Sequence, residues 1–418
     1  MFKTTFSLIL ILVFSLNTYS QEFRAGAAAR DITPEMPAMI SGGAGAPSPA
    51  TKLEGKLTTR ALVIEKGDIK TAIVAIDNIG VPKLIGDRIR ALVPEIKPEN
   101  IMIGVTHTHS APDAYGLADE NGNSGTDTKY IDMMVTKSAE AIKDALKNMA
   151  SAQLKVAVGK AKGKIAYNYY APRLYDQRCG VMQFISSANG KTIATLVNYA
   201  IHPEVIGPDR DICSPDLVGP LYDKIEKEVG GIAIYMNSAQ GGMVTADNRR
   251  EGGEEANDWK ECIRIGELLA SESLRIISGA EVQKDPKLTI TSLDVNLPVE
   301  SDLMNFILHH AIFKYKINDK GEATTQMNLV NIGPAQVITI PGEALPNIGF
   351  YIKRKMNTDY PFLFGLTNDA YGYIITKEDF NSFERYRYIC KTSLGEKTAD
   401  IVINAALELI SEDSNTIK

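Results

Sequence analysis

The chain has 418 residues, of which 44% are hydrophobic and 23% charged. This is the composition of a globular enzyme long enough to bury its core without disulfide or metal staples. The net charge of −6, with no basic run along the chain, excludes nucleic acid as a main partner, because a phosphate-binding face needs clustered Lys and Arg.

Residues 1–20 read MFKTTFSLILILVFSLNTYS: Lys3, an apolar run over 6–16, then small and polar residues. That is the pattern of a secretory signal peptide, with cleavage expected near Ser20 or Gln21 and no cysteine there to carry a lipid anchor. No later segment holds about 18 uninterrupted apolar residues, so the mature chain is expected to lack a transmembrane segment. It is then exported, either periplasmic or secreted, and residues 21–418 form a single large catalytic domain.

The stretch 36–52 (MPAMISGGAGAPSPATK) is rich in Pro, Gly, Ala and Ser and reads as an irregular loop. Val- and Ile-rich runs bounded by turn residues predict buried strands over 72–76, 101–105, 193–199, 232–235, 337–340 and 362–366. Helical periodicity predicts helices over 130–147, 220–229, 259–277 and 344–356. The acidic stretch 251–258 (EGGEEAND) reads as an exposed loop, and its spacing matches no EF-hand. The alternation gives an α/β fold of mixed β-sheets layered with helices. Cys179, Cys213, Cys262 and Cys390 form no CxxC pair, so they are read as buried or disulfide-bonded residues rather than a zinc cluster.

Chemistry-bearing residues follow the predicted strands. Asp77 comes after 72–76, Thr106-His107-Thr108-His109 after 101–105, and His202 after 193–199. Asn237 and Ser238 come after 232–235, Glu343 after 337–340, and Asn368 with nearby tyrosines after 362–366. Strand ends are where α/β enzymes gather side chains from several loops into one crevice. In an extended segment His107 and His109 point the same way, which suits a metal ligand with a second polarising imidazole; two locally bonded loop histidines would look the same. Pro203 holds His202 in extended geometry. Glu343, at a strand-to-helix turn, is a carboxylate ligand or simply favours a helix N-terminus. His309 and His310 fall in a predicted helix and read as structural or surface residues. Two histidines and a carboxylate are a usual hydrolytic zinc set, leaving a position for water.

In this order the chain resembles the neutral ceramidase family of non-lysosomal zinc amidases. The matching pieces are AARDITP (28–34), THTHSAP (106–112), NYAIHP (198–203), SPD (214–216), NSAQGG (237–242), PGE (341–343) and YGYI (371–374). The resemblance implies Zn²⁺ held by His107, His202, Glu343 and a tyrosine, best matched by Tyr373 with Tyr371 as the fallback. It implies that His109 polarises the substrate carbonyl, and Asp77 and Asp216 are candidates to orient ligand histidines, or else cap turns. The family's catalytic serine, in a GDVSPN-like segment, falls here on Val244, with Ser238 and Thr245 nearby. Its Asn-Arg pair, whose arginine contacts substrate, corresponds to Asn168-Tyr169, with Arg173 as a substitute. The chain ends soon after the tyrosine motif, so the resemblance covers a catalytic domain without the C-terminal sandwich of full-length relatives. These departures leave the metal set intact and open the substrate to small-molecule, lipid or glycan alternatives. The candidate activities are an N-acyl amidase, a carbohydrate-directed esterase or deacylase, and a non-catalytic binding protein.

Overall fold

The computed structural model describes residues 21–43, 47–118 and 121–416. The expected signal peptide lies outside the described residues. Two mixed sheets form the centre. The nine-stranded sheet runs in the order Ile232–Asn237, Thr192–Tyr199, Arg178–Ser186, Ala150–Lys160, Phe23–Asp31, Thr58–Lys66, Ile69–Ile76, Ile101–Val105, with Val282–Gln283 pairing beside Ala150–Lys160. Its outermost pairs, at either end, are parallel and the inner ones antiparallel. The four-stranded sheet runs Leu288–Pro298, Glu322–Ile332, Ala335–Thr339, Tyr360–Phe364, and its last pair is parallel.

The period of two along each strand decides the layers. Leu62, Ile73, Met102, Met182 and Leu196 turn toward Val330, Val337, Phe362 and Phe364, so the two sheets pack face to face over a dry core. The alternate residues turn outward under helices. Val63, Val74 and Ile103 meet Lys83–Ala91 and Thr128–Lys147. Val181, Val197 and Tyr235 meet Val218–Val229 and Trp259–Ser278. The small sheet is covered by Pro346–Lys355 and the C-terminal helix. Thr128–Lys147 and Trp259–Ser278 each start with an aspartate cap, Asp127 and Asp258, whose carboxylate takes first-turn N–H groups that would otherwise be unpaired.

The large sheet curls until its two edge strands meet. Gly104 makes this possible, because a Cβ there would lie 2.5 Å from the Met236 methyl. The Asn237 amide then donates to Thr106 O at 3.2 Å and Ile201 O at 2.9 Å, tying together the strand ends that precede His107 and His202. This curling brings residues 95 positions apart onto one spot.

The six predicted strands and four predicted helices all occur, with shifted ends. The segment 36–52 departs from the loop expectation: Ala38–Ser41 pairs with Ser48–Ala50 and with Ala111–Pro112, so its backbone groups are partly used in a small ribbon. All four cysteines are buried and free rather than paired. No described helix is long and apolar enough to cross a membrane.

Candidate metal centre

His107 leaves its strand in the left-handed region, φ 70°, with its N–H on Asn78 O at 2.9 Å. A non-glycine residue held there is costly and is found where surrounding structure fixes a functional side chain. Its Nδ1 lies 2.5 Å from Ile79 O, which leaves Nε2 facing the cleft. His202 is fully buried, with its backbone N–H and its Nδ1 both on Val244 O, at 2.8 and 2.9 Å. Glu343 is placed by its N–H on Gly372 O at 2.7 Å and by pairing of Glu343–Ala344 with Tyr373–Ile374. That pairing sets Tyr373 alongside Glu343. The loop 237–242 closes against them, and Gly241 is required there because a Cβ would sit 2.2 Å from Glu343 O.

The side chains converge. His202 Nε2 is 2.9 Å from Glu343 Oε2, and His107 Nε2 is 3.6 Å from the same oxygen. His109 Nε2 lies 3.3 Å from His107 Nε2, and its Nδ1 lies 3.5 Å from Glu204 Oε2. The three histidines can each offer one nitrogen within 4.8 Å of the others, the one such group of His, Cys, Asp or Glu among the described residues. His107, His109, Glu343 and Tyr373 line one cleft of about 590 Å³, walled by Ile79, Tyr115, Leu117, Met304 and Ile307.

The electrostatics follow from crowding in a dry place. Burial works against the charge on Glu343, but His107 and His202 overcome it and hold the carboxyl well below the usual range. Burial disfavours the charged form of His202, yet its bond to Glu343 raises it to about 9. With Nδ1–H on Val244 O and Nε2–H on Glu343, the imidazolium has both protons in use. His109 is pushed well below the ordinary histidine value by burial and by the neighbouring imidazoles, so it is neutral. The Tyr373 phenol is pushed up by burial and by Glu343.

This donor set could hold a divalent metal ion. The His107 and His202 imidazoles are oriented by backbone carbonyls through Nδ1, their Nε2 atoms turn toward Glu343, and that buried carboxylate supplies negative charge. The His202–Glu343 proton occupies the place such a cation would take.

Some sequence expectations change. Asp77 and Asp216 do not reach the histidines. Asp77 Oδ2 accepts from Thr58 N and Oγ1 at 2.7 and 2.8 Å, and Asp216 accepts from Ile206 N and Leu217 N. Backbone carbonyls of Ile79 and Val244 do the orienting instead, and one-dimensional sequence carries no sign of a carbonyl's direction. Tyr371 packs into the core with Ile340 and Ile374, beside Asp369. Tyr373 Oη reaches Met243 Sδ at 3.3 Å in the cleft wall. The Ser238 hydroxyl is taken by Lys353 at 3.1 Å. Arg173 is exposed in a separate depression with Lys160 and Phe350. His309 and His310 are exposed at the end of Asp302–His310. Glu204 was missed; its only signal is a carboxylate two residues past His202.

A family model described as neutral/alkaline non-lysosomal ceramidase, N-terminal, matches residues 23–254. The chain belongs to that family. Among solved structures, a neutral ceramidase from Pseudomonas aeruginosa superposes with a TM-score of 0.78 at 16% identity, covering 94% of this chain and 75% of that one. A structure titled "Ceramidase complexed with C2" gives 0.79 at 17% identity, covering 95% and 76%. At this identity the likeness establishes the shared ceramidase fold. No curated protein sequence matches the chain.

Proposed function

We propose that this family member is an exported zinc-dependent hydrolase that cleaves the N-acyl amide bond of a ceramide-like compound. The observation that carries the reading is the convergence of His107, His202 and Glu343 from three distant strand ends, with His107, Glu343 and Tyr373 on the wall of an apolar cleft and His202 buried behind it. His107, His202, Glu343 and Tyr373 would hold the ion. Zinc held there supplies Lewis acidity, polarising the scissile carbonyl and making water a nucleophile near neutral pH. The apolar wall from Ile79 to Ile307 receives the acyl chain and keeps bulk water from the reacting atoms. His109, neutral and aimed at the same point, donates a hydrogen bond to the carbonyl oxygen as charge builds there. Glu204 against Nδ1 keeps that ring turned toward the cleft. The water oxygen bonds to the acyl carbon, the C–N bond breaks, the nitrogen leaves as an amine with the water's proton, and a carboxylic acid remains.

One distance favours a second ligand arrangement. The 3.3 Å between His107 and His109 Nε2 suits two imidazoles on one ion, with Tyr373 then facing substrate. Zinc content after dialysis, measured on His109→Ala and Tyr373→Phe, separates the two: the ligand's variant loses metal and the other keeps it. For the activity itself, purified protein loaded with zinc is given a fluorogenic N-acyl-sphingosine. Zinc-dependent release of fatty acid supports the reading. A protein that binds no zinc, or hydrolyses no N-acyl amide when loaded, overturns it.

A further inference from the structure

His109 lines two depressions, the apolar cleft and a second, more polar one. Their linings differ. The second is walled by Tyr167, Tyr169, Glu204, Arg210, Glu255 and Asn257. Tyr169 is 63% exposed; its backbone N–H bonds Met243 O at 2.9 Å and its ring stands roughly perpendicular to that of Tyr170, with ring centroids 5.4 Å apart. Tyr167 is braced on one face by the Arg249 guanidinium, 3.6 Å from its ring centre. Arg249 is itself forked onto Asp247. The Asn257 amide lies 2.8 Å from the Arg210 guanidinium and 2.7 Å from the Asn248 amide.

An alkyl chain laid in this compartment would strip water from Glu204, Arg210 and Glu255 and return no hydrogen bonds. A hydroxyl-rich ring would replace that water bond for bond, and its C–H face would cover the open Tyr169 ring. Planar carboxylate, amide and guanidinium groups can each bridge two neighbouring hydroxyls, which a rigid polyol presents at the right spacing. The two compartments meet at His109, so a molecule spanning them puts its scissile bond at the metal centre.

We propose that the second compartment is a subsite for a hydroxyl-rich, sugar-like group on the nitrogen side of the amide, with the acyl chain in the apolar cleft. The substrate is then a glycosylated or polyhydroxylated N-acyl amine rather than a ceramide with two free alkyl chains. The assignment of sides rests on the hydrolase reading; the sugar subsite does not.

Calorimetry on the full chain tests it with octyl β-glucoside, which has no amide to cleave, against octane-1,2-diol, which has the chain and no ring. The glucoside binds at least about tenfold more tightly to the wild type. Tyr169→Ala and, independently, Arg210→Ala each remove most of that advantage while leaving the diol affinity unchanged. Equal affinity for the two probes, or variants that leave the glucoside unaffected, overturns the subsite. A kinetic arm compares N-octanoylglucosamine with N-octanoylsphingosine on zinc-loaded enzyme, and the sugar amide is the better substrate by kcat/KM. If sphingosine amide is preferred and Tyr169→Ala does not change the ratio, the subsite is overturned while the hydrolase reading survives. If the glucoside binds selectively and neither amide is cleaved, the subsite stands and the hydrolase reading fails.

Discussion

Two buried ionic clusters flank the loop 237–243, and they are finished in different ways. In the first, Lys353 Nζ lies 3.0 Å from Asp176 Oδ2 and 3.1 Å from Ser238 Oγ, and Arg178 forks onto the same aspartate. Every charge there is answered by a neighbour. In the second, His107, His109, His202 and Glu343 aim at one another across a shared point beside an open cleft, and only protons separate them. Burying charge is tolerated in both cases because partners are present. The first set satisfies itself and serves the fold, whereas the second gathers donors that could hold a metal ion. A polar cluster therefore reads as a site when its donors converge, and as structure when they pair off.

The largest effect should come from breaking the convergent cluster. Glu343→Gln removes the carboxylate that His107 and His202 share and leaves His202 with an amide. Turnover of an N-acyl substrate should fall by about 10³-fold or more, some 4 kcal/mol in the transition state. Retained zinc should fall by more than the roughly 10–100-fold typical of losing an outer-sphere partner. Metal analysis after dialysis against a weak chelator checks this, and full zinc occupancy in the variant would refute the ligand role.

The self-satisfied cluster should respond the other way. Lys353→Met strands Asp176 with only Arg178, and breaking a buried pair costs roughly 3–5 kcal/mol. The melting temperature should drop by many degrees, while zinc content and turnover per folded molecule stay near wild type. Burial opposes the Asp176 charge, but Lys353 and Arg178 hold the group well below the normal carboxylate range. Its stabilisation is thus present above the unfolded value of about 3.9 and is lost as pH falls below it. Lys353→Met should flatten that acid limb. A melting temperature within a degree of wild type would place this pair outside the stability of the domain.

A third buried acid carries the opposite sign. Asp77 Oδ2 is bonded to Thr58, while Oδ1 has no hydrogen-bond partner, and burial pushes the carboxyl up to about 6 despite Arg60. The folded state therefore binds the proton more tightly than the unfolded chain. The contribution of Asp77 is most favourable below about pH 4 and is lost as pH rises through 6. Asp77→Asn keeps the bonds to Thr58 and removes the charge, so it should raise stability at pH 7 by on the order of 2 kcal/mol. The gain should vanish near pH 4. Urea unfolding at the two pH values measures the difference, and a variant less stable at pH 7 than at pH 4, relative to wild type, would reverse the assignment.

How much of this is legible in the sequence depends on where the information lies. Val- and Ile-rich runs ending in His107, His202 and Glu343 are local patterns, and the strands and the residues after them stand where those patterns put them. The two-sheet layering is not local. It depends on the curl that Gly104 allows under Met236 and on the clamp that Asn237 makes between Thr106 and Ile201. The orienting partners are not local either: Asp77 and Asp216 take the turn-capping alternative, carbonyls of Ile79 and Val244 hold the imidazoles, and only the folded backbone reveals which way a carbonyl points. Tyr371 and Tyr373 are equivalent by type, and the pairing of Tyr373 with Glu343 across two short strands separates them.

The smallest expected effect is at Ser238, and it sharpens the comparison most. The hydroxyl is 2% exposed and lies in the self-satisfied cluster, with Lys353 donating to it. A serine nucleophile would need its oxygen in the cleft and a base able to take its proton. Lys353, paired with Asp176, has no free lone pair to do so. Ser238→Ala should therefore leave turnover within about twofold and cost about 1 kcal/mol, the usual net worth of one hydrogen bond. A fall of about 100-fold in turnover with the melting temperature unchanged would move Ser238 into the chemistry. It would also mean that the two clusters act together through loop 237–243, since Gly241 of that loop already donates its N–H to Ala344 O, next to Glu343.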